Sequence, residues 1–242
     1  MGGLMSTEKS SWFGRLIKKL HPEGIPAGAA RVYNALSGTS IFLRHYDLVA
    51  QDVVKFCSAG KLLDIGTGPG RLLIGLHRLA PNLELVGVDI SEAMVAKAKE
   101  NLAAAGLSDA VKVQQAGAKQ LPFEDNHFDI VVSSASLHHW KEPKECLAEI
   151  RRVLKPGGVA LLYDLVKDTP KEVLAECGAE FGKFRMFLLW LHSFEEPFYN
   201  SDAMIKLADP AQSALSEAEG FENIRTGWVG LLCCLTLRKP GT

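Results

Sequence analysis

The chain has 242 residues, 47 % of them apolar, 23 % charged and 8 % aromatic, with 27 basic residues against 28 acidic ones. Such values suit one large globular domain or a domain with a small appendage, and they exclude whole-chain disorder, collagen and coiled coil. A net charge of −1 leaves no global field for holding nucleic acid.

In chain order, residues 10–20 (SSWFGRLIKKL) place Trp12, Phe13, Leu16, Ile17 and Leu20 near one helical face, opposite Arg15, Lys18 and Lys19. A cap helix packed on the body is preferred there over a membrane-surface helix. Pro22 and Pro26 interrupt the chain, and residues 28–57 read as one or two helices. From residue 61 short apolar runs alternate with helical spacing. Strands are expected at 61–65, 83–89, 111–115, 128–135 and 158–166, with helices at 71–80, after Ser91 as N-cap, and at 143–155. This alternation implies a parallel sheet covered on both faces. It fails at 221–229 and 230–238, two strands with no helix between them, which should pair antiparallel. The expected division is a helical cap at 1–57 and a core at 58–242, with an aromatic-rich lid inserted at about 167–215.

The apolar runs 129–137 and 229–236 are far shorter than the roughly 20 residues a membrane helix needs. Five irregularly spaced cysteines, at 57, 146, 177, 233 and 234, contain no C-x-x-C. They argue against a disulfide framework or a zinc site and for the cytoplasm. Cys233 and Cys234, adjacent in an apolar run, read as strand packing.

The chemistry concentrates where the first strand runs into Asp64-Ile65-Gly66-Thr67-Gly68-Pro69-Gly70. Glycines let the backbone turn sharply and approach a ligand, and the helix that follows offers unpaired N–H groups. The third glycine comes one residue early for the dinucleotide fingerprint, and no G-x-x-x-x-G-K-[ST] is present. Asp64 inside the strand end suits a cationic ligand group better than a pyrophosphate. Asp89 ends the second strand, where a carboxylate can accept both ribose hydroxyls. Ile90 and Met94 beside it could sandwich an adenine.

With those residues in place, the chain resembles the class I S-adenosylmethionine-dependent methyltransferases, of the small-molecule type related to the ubiquinone/menaquinone methyltransferases. LLDIGTGPGRLL, LVGVDIS, LPFEDNHFDIVVSSASLHHW, EIRRVLKPGGVALL and GFENIR carry the resemblance. It implies a Rossmann-like, doubly wound seven-stranded α/β sheet with the last strand antiparallel. It also implies that Gly66, Thr67, Gly68 and Gly70 wrap the methionine end of S-adenosylmethionine, that Asp64 faces its amino group, and that Asp89, Ile90 and Met94 hold ribose and adenine. Gly117 stands where an acid commonly meets the adenine amino group, leaving the Ala118 N–H for the ring. Ser133 and Ser134 would lie near the methionine part, and Tyr33 and Tyr46 would close over it. His138 and His139 are candidate general bases, or structural parts of their loop.

The implied reaction is in-line displacement at the sulfonium methyl, with S-adenosylhomocysteine as product and an apolar or aromatic small molecule as acceptor. Two other classes are weighed: an NAD-dependent oxidoreductase, disfavoured by the glycine spacing, and a non-catalytic cofactor-binding module. A nucleic-acid substrate is disfavoured by charge and by Ser133-Ser134 in place of an Asn/Asp-Pro-Pro-aromatic run. An arsenic-type acceptor would need more thiols than Cys177.

Overall fold

The structure, a computed structural model, describes residues 31, 33–35, 37–182, 198–208 and 220–241. The amphipathic stretch at 10–20 and much of the expected lid lie outside these residues.

Chain order gives α1 (Ser40–Val53), β1 (Gly60–Ile65), α2 (Arg71–Leu79), β2 (Leu83–Asp89), α3 (Glu92–Ala104), β3 (Val111–Gln115) and β4 (Phe128–Ser134). A short 3-10 turn (Leu137–His139) precedes α4 (Pro143–Val153) and β5 (Leu154–Asp164). Then come α5 (Lys171–Phe181), α6 (Ser201–Ala208), β6 (Glu222–Val229) and β7 (Leu232–Arg238). The strands form one seven-stranded sheet in the order β3-β2-β1-β4-β5-β7-β6. Pairs β1–β2, β1–β4, β2–β3 and β4–β5 are parallel, and β7 runs antiparallel to both β5 and β6. The strand order reverses between β1 and β4. In an open α/β sheet, the carboxyl ends at such a reversal are where ligands sit.

Alternation along the strands builds two cores. Leu62 of β1 and Leu85 of β2 face α1, α2 and α3, joining Val49, Ala50, Leu72, Leu73, Leu76 and Leu102. Leu63 and Val88 face the other way, towards Leu147, Ile150 and Val153 of α4 and Met204 of α6. Near-continuous apolar strands are what burial on both faces demands. Each fully buried leucine contributes about 2 kcal/mol by leaving water. Helices α1 and α2 pack at Ala50 and Gly75, where a Cβ on Gly75 would make an ordinary 3.5 Å contact with that of Ala50. Tyr163 of β5 donates 2.9 Å to Asp52 of α1, satisfying a phenol inside the core.

The fifth strand starts earlier than the glycines suggest. Phe128 pairs with Leu154, but Ile130 pairs with Val159, so the register shifts across Pro156-Gly157-Gly158. Gly157, at φ +75°, makes that bulge without backbone strain. Cys233 and Cys234 are buried in β7, paired opposite Trp228 and Gly227 of β6.

Candidate functional site

The loop after β1 is shaped by three left-handed glycines, Gly66 (φ 73°), Gly68 (φ 51°) and Gly70 (φ 74°). The N–H groups of Gly66 and Thr67 donate to the Val88 carbonyl at 2.8 and 2.9 Å, tying the loop to the end of β2. Gly66 is doubly constrained, because a Cβ there would also collide with the Ser136 hydroxyl. Gly70 starts α2 and packs its bare face on Ala98 of α3, 3.2 Å from where its Cβ would sit.

Two carboxylates stand behind this loop. Asp64 is 1 % exposed, and the Thr67 hydroxyl donates to it at 2.7 Å. Burial pushes its carboxyl up to about 7; the Thr67 hydrogen bond opposes this and the negative charge of Asp89 adds to it. Asp89 accepts from the Ser91 N–H at 2.9 Å and the Gly68 N–H at 2.8 Å. Burial also raises its pKa, with those two hydrogen bonds acting against the shift. A carboxylate has about four acceptor sites, so Asp89 can brace the loop and still take two ligand hydroxyls.

These groups open into one cavity at the carboxyl end of the sheet. Its wall includes Tyr33, Tyr46, Asp64, Gly66, Thr67 and Gly68. Asp89, Ile90, Gly117, Ala118, Ser134 and His139 complete the set of expected residues brought there. Ile90 is 41 % exposed, an apolar plate beside the Asp89 carboxylate. A Cβ on Gly117 would lie 3.6 Å from its Cδ1, so the two positions face each other with ordinary spacing. The Tyr46 phenol is held well above its usual range, chiefly by burial and then by Tyr33, with which it shares a hydrogen bond.

Four expected residues are not on the wall. Gly70 is turned to α3, as described. Met94 is 1 % exposed beneath α3, so it is no open face for a base. Ser133 spends its hydroxyl on the Ile65 carbonyl at 2.8 Å, bridging β4 to β1. His138 is drawn away by Asp164 at the end of β5. Its Nδ1 lies 2.8 Å from Oδ1, and its backbone N–H donates to Oδ2 at 2.8 Å. The His138 ring also contacts the tilted ring of His139, with centroids 4.0 Å apart, and forms a T-shaped pair with Phe198 at 4.6 Å. Of the histidine pair, His139 is the one presented to the cavity.

Sequence reasoning missed Ile65, Leu72, Ala116, Lys119, Ala135, Ser136 and Trp140, all on the wall. Ala135 is left-handed at φ 53°, and its N–H donates to the Tyr163 carbonyl at 2.8 Å. An alanine in that region gives no sequence signal, because glycine or asparagine is the usual mark. Ser136 follows and accepts from the Trp140 indole at 3.2 Å. Lys119 pairs with Glu142 and, at 3.1 Å, with Glu145.

Among the described residues no group of three or more potential metal ligands occurs. No helix among them is long and apolar enough to cross a membrane.

Residues 63–162 match a family described as a methyltransferase domain. The chain is 36 % identical over 115 residues to a ubiquinone/menaquinone biosynthesis C-methyltransferase of Pseudomonas entomophila, covering 47 % of this chain and 45 % of that protein. It is 33 % identical over 147 residues to a demethylmenaquinone methyltransferase of Symbiobacterium thermophilum, covering 60 % and 54 %. The chain thus spans about half the length of the curated relatives it matches. Among solved structures, a putative S-adenosyl-L-methionine-dependent methyltransferase from Methanococcus maripaludis shares the fold at a TM-score of 0.68 and 23 % identity, covering 92 % of this chain and 96 % of that one.

Proposed function

We propose that the chain is a class I S-adenosylmethionine-dependent methyltransferase, a reading supported by the methyltransferase-domain match and the quinone-methyltransferase relatives, and that it transfers the sulfonium methyl of S-adenosylmethionine to an apolar or aromatic small molecule. The observation that carries this reading is one cavity holding a buried Asp64 behind a left-handed glycine loop, with Asp89 and the exposed Ile90 beside it. A ligand with an ammonium at one end and a ribose and an aromatic base at the other meets each of those groups in turn. A pyrophosphate would meet two buried acids and no cation on the loop, which disfavours the dinucleotide alternative.

When bound, S-adenosylmethionine supplies a methyl already activated on sulfur, so attack by the acceptor needs alignment more than proton transfer. Asp64 would take the ammonium and Asp89 the ribose hydroxyls. Ile90, Gly117 and Ala118 would receive the adenine. Tyr33 and Tyr46 would cover the methionine end from the cap, here residues 1–57, with 167–215 as the lid. His139 is the side chain on the wall able to take a proton from an acceptor hydroxyl. His138, held by Asp164, would fix its neighbour's ring rather than act itself. The printed names of the relatives make a quinone ring carbon the first acceptor to try, in a cytoplasmic setting.

The test is transfer of labelled methyl from S-adenosylmethionine to a panel of reduced quinones, phenols and amines. Label in an extracted product supports the reading. Tight binding of S-adenosylhomocysteine with no transfer to any acceptor would favour a binding module.

A further inference from the structure

Asn101 lies on α3, outside the cavity, yet it touches both pieces that would enclose the cofactor. Its side-chain amide donates 2.8 Å to the Pro69 carbonyl in the glycine loop and 2.9 Å to the Asn34 side-chain oxygen. An amide nitrogen carries two protons, so the fork is fully used. Asn34 belongs to the helical turn that bears Tyr33, and its own carbonyl accepts from the Ser37 hydroxyl at 2.9 Å and the Gly38 N–H at 3.2 Å. That turn ends on α2, where a Cβ on Gly38 would lie 3.4 Å from the Arg71 guanidinium. One residue before Asn34, the Tyr33 ring reaches over the loop. Its Cε1 is 3.8 Å from where a Cβ on Gly68 would be, and it lines the cavity.

We propose that Asn101 is a positioning residue: it clasps the N-terminal cap to the glycine loop and so holds Tyr33 over the cofactor's methionine end. The inference rests on the methyltransferase reading, because it assigns Asn101 a part in retaining that cofactor. The clasp is local. Asn101 stands inside a helix, where alanine is the better helix former, so Asn101→Ala removes the fork and leaves α3 intact.

The experiment titrates S-adenosylhomocysteine into the full chain by calorimetry for wild type, Asn101→Ala, Tyr33→Leu and the double variant. Melting temperatures without ligand are recorded alongside. Loss of two hydrogen bonds should weaken binding about tenfold in Asn101→Ala, with a ligand-free melting temperature within about 4 °C of wild type. In the Tyr33→Leu background the same change should cost less than about twofold, because the clasp then has no ring to place. Wild-type affinity in Asn101→Ala would overturn the proposal while leaving the methyltransferase reading intact. So would losses that add fully in the double variant. Wild type failing to bind S-adenosylhomocysteine would sink the reading and the proposal together.

Discussion

Replacing Asp64 with asparagine should remove most of the pH dependence of cofactor-product binding. The Asp64 carboxyl sits at about 7 in the ligand-free protein, mainly through burial. An ammonium at this site needs the ionised form, so binding below pH 7 must first expel a proton. From pH 8 to pH 5.5 the ionised fraction falls about thirtyfold, and wild-type affinity for S-adenosylhomocysteine should fall with it. The amide of the Asp64→Asn variant cannot ionise, so that protein should bind weakly at both values, with much less slope. The remaining slope reports the other carboxylate of the cavity, Asp89, whose pKa burial also raises, and comparison of the two proteins isolates Asp64.

Stability has the opposite sign. The folded carboxyl is raised above its unfolded value of 3.8, so between about pH 4 and 7 the native state binds the extra proton. Ligand-free wild type should therefore lose stability as pH rises through that window, by up to about 4 kcal/mol, and level off above it. The Asp64→Asn variant lacks this slope, and at pH 8 it should melt higher than wild type when ligand-free. Calorimetry in buffers of different ionisation enthalpy would read the proton release directly. Parallel pH profiles for wild type and Asp64→Asn would refute the reasoning.

Three further outcomes follow from the geometry. Asp89→Ala removes the acceptor for the Gly68 and Ser91 N–H groups; it should lower stability by about 1–3 kcal/mol and weaken S-adenosylhomocysteine at least tenfold, as read by denaturation and calorimetry. Unchanged binding would disprove the ribose assignment. Gly66→Ala meets both a left-handed φ and the Ser136 hydroxyl; it should cost about 1–3 kcal/mol, and Ser136→Gly should restore only the part due to the collision. Gly117→Asp meets no clash, its nearest neighbour Ile90 lying in ordinary contact at 3.6 Å from the new Cβ. It should tighten S-adenosylhomocysteine several-fold, about what one charge-assisted hydrogen bond provides, without a fall in melting temperature.

Much of the fold is legible in the sequence because burial on both faces forces unbroken apolar strands, and the loop because glycine takes its left-handed backbone angles most readily. Two acids at strand ends mark the same site, since each occupies a place where the sheet opens. What escapes has physical reasons. Met94 and Ile90 look alike as apolar residues after Asp89, but Ile90 stands exposed in the turn before α3 while Met94 falls on the buried face of that helix. His138 and His139 are indistinguishable in sequence until Asp164, 26 residues further on, claims the first. Ala135 adopts a glycine-like angle that only its surroundings impose, and with it come Ser136 and Trp140. Asn101 is an ordinary helix-surface residue until the cap folds back onto the loop.

The most direct test of the central claim compares S-adenosylmethionine, S-adenosylhomocysteine and NAD as stabilisers of the purified chain. A ligand at 100 times its dissociation constant adds about 2.7 kcal/mol, which should raise the melting temperature by about 5–10 °C. The account predicts that shift with S-adenosylmethionine and S-adenosylhomocysteine and none with NAD. A shift with NAD alone would contradict it.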